Sequence, residues 1–580
     1  MLIRCCTVSL LFTALLTAQT GGRGVAIGGI LGPVPFGSPN SPQNGPPPAT
    51  DCAASGIVVN AITGAPIPRA MVQGNGSGGA ASDAKGEWSM TNQRCGVWIP
   101  NATRPGFFSA TPGLTAAGPR KLVDLVSGSP ATGVKIELMP EASISGTVLN
   151  SDGDPLADAR IMLMHSMILN GYRVLTGAQN GQTDQEGNFR IDHLQPGRYI
   201  ACAGSTELAF PVGGGPALVY PEECYPGPPS QGPSAAMPID PGKEARISLT
   251  LRAQPPLHVR GVVEGASGGR GSVNLMKTAV DRPMPGVPLG GMMMGLPSTN
   301  RGGQILPDGT FDITNVTPGN YIATARVPGP GRGMPPTATA RITVGDSDVN
   351  GVQLTIQPPV PVNGTVRYEL AGGTPAVPAA PANQGQFTEG ALPVAGPGVI
   401  VNLSPAEPSL GGVGQPQWDD DHLAFNWPEV SPGSWILNAN VRSIPGAYIK
   451  SATLRGQDVL NQPFPIDGPT GPIEIVVSDD SGIFQANVTD ADGHPVPGFV
   501  VLKPAAGRPL TGRAGHDGVV SIENVPTGDY SVWAFDNMTD VPWNEDDWMA
   551  RNAGSPIRVT ISKTAGAAPV TLKRITAPAQ

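Results

Sequence analysis

The sequence predicts an all-β protein: a tandem array of about five β-sandwich domains. Three observations lead there. Apolar residues alternate with polar ones over short runs, and such a period of two marks strands with one buried face. Gly (78) and Pro (65) make up about a quarter of the 580 residues while charged residues supply only 14%, which reads as many turns between short strands rather than solvated disorder. Finally, the outline of "TDQEGNFRIDHLQPGRYIACA" (183–203) returns as "LPDGTFDITNVTPGNYIATA" (306–325) and "AGHDGVVSIENVPTGDYSVWA" (514–534).

The spacing of this repeat is fixed. Ten residues after Gly86, Gly187, Gly309 and Gly518 stand Gly96, Gly197, Gly319 and Gly528. A further copy has Leu423 at the first position and keeps Gly433 at the second. Two residues past the first marker come Trp88, Phe189, Phe311, Phe425 and Val520, and four past it Met90, Ile191, Ile313, Trp427 and Ile522. This alternation is a half-buried strand. Trp98, Tyr199, Tyr321, Trp435 and Tyr530, two past the second glycine, open the next strand on the inward phase. Between the strands, "QPGR", "TPGN" and "SPGS" predict a type II turn, with Pro setting φ at the first central position and Gly taking φ > 0 at the second. Each copy begins with a strand marked by Gly56, Gly146, Gly261, Gly364 or Ala486 and ends on an alternating strand such as "GVKIELMP" or "ARISLTL". Turns every 8 to 12 residues between alternating strands make a sandwich of each copy.

The chain divides into a leader at 1–18, a Gly/Pro-rich linker at 19–50, and five modules at 51–140, 141–253, 254–358, 359–480 and 481–580. "MLIRCCTVSLLFTALLTAQT" has the outline of a secretory signal peptide: Arg4, an apolar run from Cys5 to Leu16, then Ala18 before Gln19. No later stretch approaches the ~18 apolar residues of a membrane helix. Prolines at the junctions (Pro140, Pro255, Pro256, Pro358, Pro361) predict a semi-rigid rod of stacked modules. Export leaves Cys52, Cys95, Cys202 and Cys224, an even number that predicts two disulfides. Three pairings exist; Cys52–Cys95 and Cys202–Cys224 are favoured because each falls within one repeat.

The pattern G-x-V, G-x-P, then T-D-x-x-G-x-F-x-I-x-x-L-x-P-G-x-Y, fullest over 146–203, resembles the carboxypeptidase regulatory-like, or prealbumin-like, family. The tail, "GQDVLNQPFPIDG" through "WAFDNMTDVPWNEDDWM", is similar to the ends of large secreted proteins of acidobacterial type that carry tandem copies of this domain. The resemblance implies export and seven-stranded, Ig-like sandwiches often grouped with carbohydrate-binding-like folds, and no established activity.

The motifs argue against an enzyme. A metallocarboxypeptidase needs His-x-x-Glu and a distant His, yet none of the six histidines has Glu three residues on, and H-E-x-x-H is absent. "GASGG" (265–269) matches G-x-S-x-G but is followed by "RGSVNL", not a helix. "GNGSGG" (74–79) lacks the helix that a phosphate loop requires. Three methionines, Met292 to Met294, form an apolar Gly/Pro loop without His or Cys beside them. No cofactor is expected, and a net charge of -9 with scattered basic residues disfavours nucleic acid.

The remaining candidates are binding residues. Sugar recognition uses exposed rings with nearby polar groups, so the aromatics outside the inward phase are the candidates: Trp418, Trp533, Trp543, Trp548, and Tyr220 and Tyr225 flanking Cys224. Clustered carboxylates Asp419, Asp420 and Asp421 are weak calcium candidates, with a solvated loop as the plainer reading. The expectation is thus a non-enzymatic protein, secreted or on the outer surface, or in the periplasm. Polysaccharide or another envelope component is its leading partner class. The alternative is a structural or protein-binding spacer accessory to a secreted hydrolase or an envelope complex.

Overall fold

A computed structural model describes residues 50–577 except 77, 110–122, 170, 210–216, 233–234, 267–270, 278–300, 329–334, 373–397, 407–411, 442–443, 445, 506, 516, 537–540 and 564–568. The expected leader, the linker up to residue 49, Met292 to Met294 and His516 lie outside the described residues, as do Ser77 of "GNGSGG" and the last three residues of "GASGG".

The described chain is all-β, and five hydrophobic cores follow one another along it. They are drawn from residues 52–138, 142–251, 257–354, 360–477 and 484–572. In each, the marked first strand (Cys52–Asn60, Ala142–Asn150, Leu257–Glu264, Val360–Glu369, Ser481–Thr489) is central. It pairs antiparallel with the strand that carries Trp88, Phe189, Phe311, Phe425 or Val520 and parallel with the module's last strand. In modules 2 to 5 the second strand and the one that opens with the repeat's second glycine build the facing sheet, as Arg160–Leu169 and Gly197–Ala209 do in module 2 and Gly498–Pro504 and Gly528–Phe535 in module 5; in module 1 Met71–Gln73 pairs instead with Asn101–Thr103, and Gly96–Trp98 with Val123–Leu125. In module 5 the last strand, Val570–Ile575, also pairs with Gly528–Phe535, which joins the two sheets.

Register explains the module-start glycines. Gly56, Gly146, Gly261 and Gly364 lie directly opposite Trp88, Phe189, Phe311 and Phe425. A Cβ on Gly364 would sit 2.0 Å from Phe425 Cζ, and one on Gly261 2.8 Å from Phe311 Cζ. In module 5 the opposite residue is Val520, and there the position is Ala486. At Gly56, Gly146 and Gly261 the parallel strand crowds the position as well, with a Cβ 1.8, 2.1 and 2.1 Å from the main-chain oxygens of Val134, Ile247 and Val352; at Gly364 the three nearest atoms all belong to the ring.

Every module carries a bulge at one place. The register slips between Cys52 and Ala54, Ala142 and Ile144, Leu257 and Val259, Val360 and Val362, and Gly482 and Phe484. The extra residue lies on the partner strand, where Asn92, His193, Asn315 and Asn524 take φ of 57 to 60°, the left-handed region that Asn tolerates best among residues with side chains. The bulge moves the inward phase by one, so the burial along Asn188–Leu194 runs exposed, buried, exposed, buried, exposed, exposed, buried.

The Pro-Gly corner departs from the expected type II turn. Gly197, Gly319, Gly433 and Gly528 have φ of 159, 149, 147 and 144°, far from the roughly +80° of that turn. Instead the ring two residues on closes the corner. Tyr199, Tyr321 and Tyr530 donate their hydroxyls to the carbonyls of Gln195, Thr317 and Pro526 at 2.6, 2.8 and 2.8 Å, and Trp435 Nε1 donates to Ser431 O at 2.9 Å. This is the tyrosine-corner device of immunoglobulin-type sandwiches.

Candidate functional site

The two disulfides are those expected. Cys52 joins Cys95, and Cys202 joins Cys224 directly across an antiparallel pair of strands.

The aromatic candidates do not gather on one face. Trp418 is half-buried in module 4 and tilts onto Phe425 at 5.3 Å. Tyr220 packs on the core of module 2. Tyr225 is 42% exposed. Trp533 is half-buried, with its Nε1 donating to Gly554 O at 3.3 Å. Trp543 and Trp548 are only 8% and 5% exposed, so the structure corrects the expectation that they face a ligand. They form a second core in module 5 with Phe499, Phe535 and Met549, separate from the one inside its sandwich. The helix Asp546–Asn552 projects Trp548 and Met549 into it. Period-two reading could not place them, because they lie on a helix and the loop before it.

The acidic candidates are turn formers. Asp419 Oδ1 accepts from the main-chain N–H groups of Leu423 and Ala424 at 2.8 and 3.0 Å, while Asp420 and Asp421 are exposed. Asp490, Asp492 and His494 do bring ligand atoms within 4.8 Å of one another. Asp490 Oδ1, however, already accepts from the N–H groups of Asp492 and His494, each at 2.9 Å. In module 3, His258 and Arg260 both hold Asp312, at 2.8 and 3.0 Å, and Arg260 reaches Asp348 at 2.9 Å. Main-chain donation from His258, then the Arg260 guanidinium, hold the Asp348 carboxyl below its usual range. These pairs form a polar ladder across a sheet face.

His165 is half-buried on strand Arg160–Leu169 and stacks on Tyr199 with ring centroids 4.7 Å apart. Burial lowers its pKa to about 4, so it is neutral and packs as part of the sandwich. A polar cleft of about 440 Å³ in module 1 is lined by Thr50, Asn75, Gly76, Asn92 and Arg94. Asn75 Nδ2 donates to Arg94 O at 2.8 Å, which fixes the cleft's wall and leaves a guanidinium and amides to offer hydrogen bonds.

The contact that sequence reasoning missed joins modules 2 and 5. The hairpin of Arg160–Leu169 and Tyr172–Gln182 turns at Gly171, which has φ 79°. A Cβ there would lie 2.5 Å from Trp543 Nε1, so the indole rests on the bare Cα. Asn544 N donates to Gly171 O at 2.9 Å, and Arg173 N donates to Glu545 Oε1 at 2.8 Å. Ile168 packs against the Trp543 core. Modules 2 and 5 are thus in contact although they are not neighbours along the chain. Module 5 is held by module 2 as well as by module 4, where Ser481 Oγ donates to Gly446 O at 2.7 Å.

No family model matches the chain, and no curated protein matches it. The resemblance to regulatory-like domains therefore rests on its motifs. Among solved structures, the chain is similar to the Bacillus anthracis TIE protein at 11% identity and a TM-score of 0.16, over 53% of this chain and 51% of that one. It thus spans about half of that protein. A minor pilin of Streptococcus agalactiae matches at 14% identity and a TM-score of 0.20, over 35% of this chain and 97% of the pilin. The RrgB pilus protein of Streptococcus pneumoniae matches at 10% identity and a TM-score of 0.13, over 76% and 99%.

Proposed function

We propose that the chain is an exported, non-enzymatic scaffold of β-sandwich modules that works at the cell surface or outside it by holding or binding other proteins. One observation carries this reading: the large rings that fall outside the repeat, Trp543 and Trp548 above all, are used up in a core that faces another module of the same chain. A ring with 8% of its surface free offers no face on which a sugar can stack. The two disulfides support export, since such bonds persist in oxidising compartments. Among the described residues no helix is long and apolar enough to cross a membrane. The motif resemblance supports placing the chain with exported proteins of acidobacterial type that carry regulatory-like domains.

Polysaccharide binding is the second reading. Exposed Tyr225 and the polar cleft beside Arg94 favour it. The two readings separate on a panel of insoluble polysaccharides, with and without Ca²⁺. The scaffold reading expects no selective retention. Retention weakened by Tyr225→Ala or Arg94→Ala would replace it with a lectin-like role.

A further inference from the structure

The contact between modules 2 and 5 has two complementary halves on one chain. One is a hairpin tip whose glycine leaves a gap the size of a side chain; the other is an apolar shelf, Phe499, Trp543, Trp548 and Met549, with Trp543 at its rim. The halves lie 372 residues apart and on separately cored modules. Neither half is needed to close the sandwich that carries it. The tip lies at the end of a hairpin whose own pairing runs to Leu169 opposite Tyr172. Main-chain hydrogen bonds at Gly171 and Arg173, the Trp543 ring over Gly171 and the packing of Ile168 join the halves; on the module 2 side all of these come from one hairpin end, a local contact of the kind that opens without unfolding the module that carries it.

We propose that tip and shelf form an exchangeable joint, closed within one chain in dilute solution and made between chains when they are concentrated, so that the partner this shelf fits is a second copy of the chain. The shelf does not match itself; it matches the tip. Contacts of this heterologous kind, exchanged between identical chains, link them head to tail. Closure within the chain wins at low concentration because the effective concentration of two sites on one chain does not fall on dilution, whereas that of two separate chains does. The proposal sharpens the protein-binding reading by naming the partner, yet it holds whether or not the scaffold also anchors a foreign protein.

Two variants of the full chain test it, each unable to close on itself. Gly171→Trp fills the gap that the Trp543 ring enters and spoils the tip while leaving the shelf. Trp543→Ala spoils the shelf while leaving the tip; should it unfold module 5, Glu545→Lys removes the acceptor for Arg173 N instead. Sedimentation velocity at about 100 μM is expected to show single chains for each variant alone and a species of twice the mass in the equimolar mixture. A mixture of Gly171→Trp with the double variant is expected to stay at single-chain mass. If the mixture of single variants stays at one chain's mass up to about 1 mM, or if Gly171→Trp alone associates as strongly as the mixture, the joint is not exchangeable and the proposal fails.

Discussion

Gly364→Ala tests the pairing of a bare glycine with an aromatic ring. The added Cβ would lie 2.0, 2.4 and 2.6 Å from three ring atoms of Phe425, all well inside contact distance. Gly364 has no left-handed φ to lose, so the cost is overpacking, about 3 kcal/mol at the upper end of such substitutions. Phe425→Val alone removes a ring that is 2% exposed and costs about 2 kcal/mol. If the two effects were independent the double variant would lose about 5 kcal/mol. Module 5 carries the corresponding Ala486 and Val520 in direct register, so the double variant is expected to lose only about 2 kcal/mol, a coupling of about 3 kcal/mol at the upper end of measured values. Because five cores unfold in one chain, the readout must be local. Native-state hydrogen exchange over the strands Val360–Glu369 and Ala424–Val430 should accelerate about 150-fold in Gly364→Ala and only about 30-fold in the double variant, against several thousand-fold if the losses added. Additive losses would show that ring and glycine are not one device, and the explanation of Gly364 would be wrong.

The remaining predictions use the same kind of local readout. Tyr321→Phe removes the hydroxyl bond to Thr317 O at 2.8 Å and should cost module 3 about 1 to 2 kcal/mol in denaturant unfolding; no change would mean that the ring's packing alone holds the corner. Reduction of the disulfides spanning 43 and 22 residues should cost modules 1 and 2 about 4.0 and 3.4 kcal/mol by loop entropy, seen as separate downward shifts in calorimetry. Half-buried His165, with its pKa lowered to about 4 by the loss of solvent around it, takes up a proton more readily in the unfolded chain. Its stabilising contribution is therefore full above pH 6.5 and drains as the pH falls toward 4, by up to about 3 kcal/mol. Melting of module 2 in His165→Phe should accordingly vary less over that range than in the parent chain.

The fold was legible where one residue type answers one local need. Asp83 and Asp184 accept main-chain N–H bonds two and four residues on, as their place in a turn foretold. The inward rings Trp88, Phe189, Phe311, Trp427 and Trp435 are in the cores. The disulfide partners were readable because each pair lies inside one repeat. The bulge was not read, although Asn92, Asn315 and Asn524 recur at its left-handed position; a recurring Asn in mid-strand was the available signal. The Pro-Gly corner was assigned the wrong turn because its closure comes from a hydroxyl four residues away. The joint between modules 2 and 5 had no local signature at all, since it depends on residues 372 apart.

Module 5 keeps Gly518, Gly528 and Tyr530 but departs from the repeat at two linked markers: Ala486 replaces the starting glycine and Val520 the ring opposite it, and its last strand joins both sheets. A repeating module needs its outer surface for solvent alone, so a surviving apolar residue outside the period must be covered by something the period does not describe. Trp543, Trp548 and Met549 are such residues, and the surface that covers Trp543 belongs to module 2. The same reasoning sorts the other rings. Trp418 and Tyr220 are partly covered by their own modules, whereas Tyr225 keeps 42% of its surface free. Departure from the repeat identified residues with a special task, and burial then decided between a ligand and the chain itself. For Trp543 the decision falls to the chain, so loss of that ring should loosen the hold of module 2 on module 5 before it alters any affinity for sugar.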